Sequence, residues 1–124
     1  MRSFIISVIV LITVTLCVFM NIRFMRVFCT DLLTLSASVP ADAENYKAGE
    51  ETLRLIAQKW KEKEKLISFF TDYREVDRVN VALSDALNAF DSDDHQQYTV
   101  YFAQFRHAVK RLLDINRITA ENIF

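Results

Sequence analysis

The sequence predicts an all-α fold: an N-terminal transmembrane helix followed by an antiparallel three-helix bundle. Three observations carry this. Gly49 is the only glycine and Pro40 the only proline in 124 residues, whereas sheet proteins need many tight turns built from those residues. Residues 4–20 carry no charged side chain. Beyond residue 44, apolar side chains recur at alternating intervals of three and four, the spacing of a helix with one buried seam. The chain divides accordingly into an anchor (residues 1–28), a juxtamembrane segment and bend (29–43) and a helical bundle domain (44–124).

The anchor comes first. Thirteen of the seventeen residues 4–20 are large and apolar, which favours bilayer insertion by on the order of 4 kcal/mol. Seventeen helical residues reach about 25 Å, slightly under the ~30 Å of a hydrocarbon core. Ile22, Phe24, Met25, Val27 and Phe28 extend the apolar surface, and Arg23 and Arg26 can snorkel to headgroups between them. A cleaved signal peptide has a shorter apolar region ending in a small-x-small site. Here the run ends Cys17-Val18-Phe19-Met20-Asn21-Ile22-Arg23, so the anchor is expected to remain. Leu16 before Cys17 also fails the small residue of a lipoprotein signal. Thr13, Cys17 and Asn21 recur every four residues and line one face, a candidate contact for a neighbouring membrane helix. Cys17 and Cys29 lie about 18 Å apart along one helix, too far for a disulfide. The Lys and Arg count on the two flanks is nearly tied. An anchor at the extreme N-terminus and an acidic domain after it favour an extracytoplasmic domain at the cell membrane.

The first bundle helix is expected to begin at Asp42, with Pro40 in its entry and Asp42 and Glu44 complementing the dipole. Its seam reads Tyr46, Gly49, Leu53, Ile56, Trp60, Lys63, Ile67, Phe70. Lys59–Glu62, Lys61–Glu64 and Glu62–Lys65 are opposite charges three apart that support a solvated face. Trp60 falls on the seam and reads as core. Asp72 and Glu75 suggest a capping box for the second helix, whose seam is Val76, Val79, Leu83, Ala86 and Phe90. Asp94 with Gln97 suggests the cap of the third, with Tyr98, Phe102, Phe105, Val109 and Leu112 as seam. Folding the first bundle helix straight back along the anchor would carry "KEKEK" towards lipid, so residues 36–42 are expected to turn the chain outward or sideways, or to act as a hinge.

Charge excludes one class of function. Residues 30–124 hold 12 basic and all 16 acidic side chains, a net −4, without the basic surface of a nucleic-acid binder. Asp91, Asp93 and Asp94 beside His95 fail the calcium-loop template, because Gln96 and Phe102 stand where it needs Gly and Glu. They read as acids at a helix N-terminus. His107 has no evident nucleophile beside it, and one glycine leaves no phosphate-cradling loop. No metal, cofactor, small-molecule substrate or catalytic residue is expected.

An apolar N-terminal span, the Trp-bearing "QKWKEKEKLISFF", the following Glu75-Val76-Asp77 and the closing "ENIF" (121–124) together resemble the family called domain of unknown function 4363, small membrane-anchored proteins of spore-forming Gram-positive bacteria. The resemblance implies a single-pass bacterial protein with no assigned activity and no catalytic residues. The expected function is a non-enzymatic interaction or accessory subunit at the membrane, binding a membrane-protein partner or a second copy. The alternative is a ligand-sensing helical domain. Candidate contacts are Thr13, Cys17 and Asn21, the aromatics Tyr98 and Tyr101, and the apolar tail Ile123-Phe124, which is expected to fold back onto the bundle.

Overall fold

The computed structural model describes residues 1–40 and 42–123, with the side chains of Phe70, Thr119, Ala120 and Ile123 outside the description. Among the described residues there is no strand. Four helices follow in order: α1 (Arg2–Ala37), α2 (Glu50–Phe70), α3 (Tyr73–Asp91) and α4 (His95–Ile123), with a 3₁₀ turn (Tyr46–Gly49) leading into α2.

The three bundle helices bury the seams that their spacing predicts. Leu53, Ile56, Trp60 and Ile67 of α2, Val76, Val79, Leu83, Ala86 and Phe90 of α3, and Tyr98, Phe102, Phe105, Val109 and Leu112 of α4 are all buried. Of the two positions in the first seam without a large apolar side chain, Gly49 is buried and Lys63 is exposed. Asp94 caps α4 by accepting from the Gln97 amide at 3.1 Å.

The C-terminal half of α1 joins this core. Met25, Phe28, Cys29, Leu32 and Ser36 are buried, one helical face within an otherwise apolar helix. Phe28 stacks between Phe24 and Trp60, at 5.8 and 6.3 Å between ring centroids. Arg106 Nε donates to Ser36 Oγ at 2.9 Å, and Asn116 Nδ2 donates to the Ile22 carbonyl at 2.9 Å. These two bonds run α4 antiparallel to α1. In contrast, residues 1–17 are exposed throughout.

Several local expectations are corrected. Helix α2 starts at Glu50, eight residues after Asp42, because Asp42 is spent on a turn: its carboxylate accepts from Asn45 Nδ2 and its carbonyl from the Asn45 and Tyr46 amides. Pro40 lies in the loop, not in a first helical turn. The Asp72–Glu75 capping box does not form. Asp72 accepts from the Arg74 amide at 3.0 Å, and Glu75 reaches across to Arg111 Nε at 2.7 Å. The pairs expected within "KWKEKEK" give way to longer-range ones. Lys59 pairs with Asp31 of α1 at 3.3 Å, and Glu64 accepts from Asn80 of α3 at 2.9 Å.

The bend is also corrected. After α1, the chain turns back on itself, and α2 runs antiparallel beside α1, with Lys59 level with Asp31 and the Lys63 ammonium 5.9 Å from the Phe24 ring. Burial of the α1 stripe drives this: three large side chains, Met25, Phe28 and Leu32, leave water, at about 1.5–3 kcal/mol each. Gly49 permits the close approach, since a Cβ there would lie 2.8 Å from Val39 Cγ1 and 2.9 Å from Pro40 Cδ.

Candidate functional site

Where α1 emerges from the bundle, a cleft of about 400 Å³ opens between three elements. One wall is α1, through Thr13, Cys17, Asn21 and their neighbours. The second is the α2–α3 turn, Thr71 and Asp72. The third is α4, through Leu112, Ile115 and Asn116. The predicted stripe of α1 therefore does line a site, but at its Asn21 end the neighbour is the chain's own α4, fixed there by the Asn116–Ile22 bond.

The polar groups of the cleft are largely committed already. The Thr13 hydroxyl donates to the Ile9 carbonyl at 2.8 Å, as Ser7 and Thr15 donate to Ser3 and Leu11. Such back-bonding satisfies each hydroxyl within its own helix. Asp72 caps α3 and pairs with the Arg74 guanidinium at 3.2 Å. The Arg74 amide, then its side chain, hold the Asp72 carboxyl below the usual carboxylate range. Cys17 is a free, exposed thiol, and no histidine or lysine lines the cleft. This arrangement can hold an apolar group with a few hydrogen-bonding neighbours. It offers no nucleophile paired with a base.

The other predicted contacts lie elsewhere. Tyr98 is only 1% exposed. It packs against Tyr46, Phe90 and Phe102 at 5.3–5.4 Å between centroids, so it is a core residue and not a surface contact. Tyr101 is half-buried and borders a shallow groove with Gln97, Val100 and Gln104. Fifteen helical residues, about 22 Å, separate it from Asn116. The α4 backbone runs through residue 123, whereas the Ile123 side chain and Phe124 lie outside the described residues.

The acidic run before α4 is taken up in structural contacts. Asp93 pairs with Lys47 at 2.7 Å, Asp91 pairs with Arg54, and Asp94 caps the helix. Lys47 also donates to the Phe90 carbonyl and lies 4.1 Å from the Phe90 ring centre, closing the C-terminus of α3. His107 borders an open groove with Lys110, Arg111 and Asp114. Among the described residues, no three His, Cys, Asp or Glu side chains converge as a metal site would require.

Sequence spacing missed Asp72 and Asn116 as parts of the cleft. Neither stands on a seam, and only the α2–α3 turn and the α4 register bring them to α1. No curated protein and no solved structure matches the chain. A family model described as domain of unknown function (DUF4363) matches residues 21–123, beginning where α1 first meets α4, and the chain belongs to that family.

Proposed function

We infer that this is a single-pass membrane protein, anchored by the exposed half of α1 and acting through contacts of its helical bundle, not through catalysis. The observation that supports the anchor is the contrast within one helix. From residue 18 onward α1 has a face on the bundle, whereas the side chains of residues 4–16 are apolar or back-bonded and none is covered. Leaving so many large apolar groups in water is costly, at about 25 cal/mol per Å², and a bilayer removes that cost.

Retention of the anchor is favoured by the continuity of α1 through this region. The extracytoplasmic placement of the bundle rests on its net negative charge. The partner is a membrane protein or a second copy. The accessory role draws on the cleft, whose chemistry suits apolar contact and lacks a reactive pair.

Alkaline extraction of native membranes tests the anchor. The full chain should stay with the membrane pellet, and Cys17 should react with a maleimide only after detergent is added. Release into the supernatant would reject the anchor. Crosslinking in native membranes followed by mass spectrometry tests the partner. Recovery of uncrosslinked monomer alone would reject the accessory role.

A second reading, ligand sensing, draws on one observation. The buried hydroxyl of Tyr98 has no hydrogen-bond partner among the described residues. Tyr98 also borders a 230 Å³ cavity with Ser36, Phe102 and Arg106. Thermal stabilisation by a small molecule, lost in Arg106→Ala, would favour this reading.

A further inference from the structure

The part of α1 that is exposed on every side is too short to cross a bilayer alone. Residues 3–17 form fifteen helical residues, about 22 Å, against a hydrocarbon core of ~30 Å. The deficit of about 8 Å falls at the end of α1 where the bundle begins. At that level stands the α2–α3 turn, because Thr71 and Asp72 share the cleft with Thr13 and Cys17.

The side chains around this turn are those of a membrane interface. Phe69 and Tyr73 flank it and are 85% and 70% exposed. Ile118, one turn beyond the cleft residue Ile115 on α4, is also exposed. Aromatic rings with one apolar and one wet end concentrate at the headgroup level. The single carboxylate of the turn, Asp72, is paired with Arg74, whose largely exposed guanidinium is placed to meet a phosphate. The dense charges of α2 stand farther out: the last of them, Lys65, is four residues or about 6 Å from Phe69 along the helix, and Lys63 lies against Phe24.

Resting on the anchor reading above, we propose that the base of the bundle is itself immersed in the headgroup–acyl boundary of the bilayer that α1 crosses. Phospholipid fills the cleft and covers Phe69, Tyr73 and Ile118. The bundle thus completes the span that α1 leaves short, and it stands on the membrane with no linker beneath it. This also removes the conflict between a fold-back of α2 and burial of "KEKEK" in lipid, since immersion stops below Lys65, the last charge of that run.

Nitroxide depth measurement on the reconstituted full chain tests this. In a Cys17→Ser background, single cysteines replace Leu11, Phe69, Tyr73 or Val100 and are spin-labelled; the buried Cys29 does not react. All four side chains are more than half exposed, so the fold tolerates them. Collision with oxygen, which partitions into lipid, is compared with collision with a water-soluble nickel chelate. Labels at 69 and 73 should favour oxygen, at 11 more strongly still, and at 100 the ratio should invert. Labels at 69 and 73 that behave like 100, while 11 reads deep, would overturn the proposal: the bilayer then thins to meet a short helix. A label at 11 that reads as water would reject the anchor and the proposal with it.

Discussion

The indole N–H of Trp60 donates to Oδ1 of Asn80 at 2.6 Å, and Asn80 passes its own amide proton to Glu64 at 2.9 Å. The largest ring of α2 is thereby fixed to α3 by its only polar atom, while its face stacks on Phe28 of α1. Three helices meet at one side chain. Asn80→Ala strands a buried donor, and the cost of such a group is about 1–3 kcal/mol. Chemical denaturation should show a loss of that size. Asn80→Asp, which retains an acceptor for the indole but sets a second carboxylate against Glu64, should also lose stability.

Gly49→Ala should destabilise. Gly49 is the N-cap of α2, a position where glycine is preferred to alanine. The added methyl meets Val39 and the Pro40 ring closer than 3.0 Å, and overpacking of this kind costs typically 1–3 kcal/mol. The double variant Gly49→Ala with Val39→Ala should recover part of the loss in a thermal melt.

Acid should weaken the fold through Glu75. Its hydrogen bond from Arg111 holds its carboxyl below the usual range. A depressed carboxylate contributes stability above its unfolded value of about 4.3, and the contribution disappears as pH falls through the lower folded value. The melting temperature should therefore decline below about pH 5. Glu75→Gln should melt lower than wild type at neutral pH and decline less steeply in acid, with Asp72 accounting for much of the remaining slope.

Tyr98→Phe is expected to stabilise. The substitution keeps the ring stack and removes a buried hydroxyl without a partner, a change worth about 1 kcal/mol. Burial, and secondarily Tyr46, pushes the Tyr98 phenol up to about 12. An unfolded tyrosine ionises near pH 10, so the wild type loses stability between about pH 10 and 12 where the variant should be flatter. A loss at neutral pH in denaturant titration would show that bound water or a ligand satisfies the hydroxyl.

The bundle seams were legible because each lies on an amphipathic helix. From Val76 to Phe90, for example, the apolar positions stand out against polar neighbours. The stripe Met25, Phe28, Cys29, Leu32, Ser36 also lies on one helical face but merges into the apolar run before it, so its burial against α2 and α4 could not be told from lipid exposure. The late start of α2 was hidden because Asp42 suits a helix entry and a turn equally well. Half of the cleft was legible in the four-residue period of Thr13, Cys17 and Asn21. Its other half depends on tertiary register, as Asn116 shows: nothing in its local sequence points to the Ile22 carbonyl ninety-four residues earlier. Tyr98 and Tyr101, three apart on one helix, split between core and surface.

Helix α1 is a single rod of 36 residues, about 54 Å long, with no joint between its exposed half and the half gripped by α2 and α4. A rod without a joint transmits torque. A tilt of about 20°, ordinary for a helix in a bilayer, swings the far end sideways by roughly 18 Å and leans the whole bundle with it. One residue inserted within residues 10–16 would turn the bundle by about 100° around the rod relative to whatever holds its outer end. Were a partner to hold α1 near Ile9, the azimuth of every surface residue would be geared to that grip, and a rotation there would be read out at Tyr101.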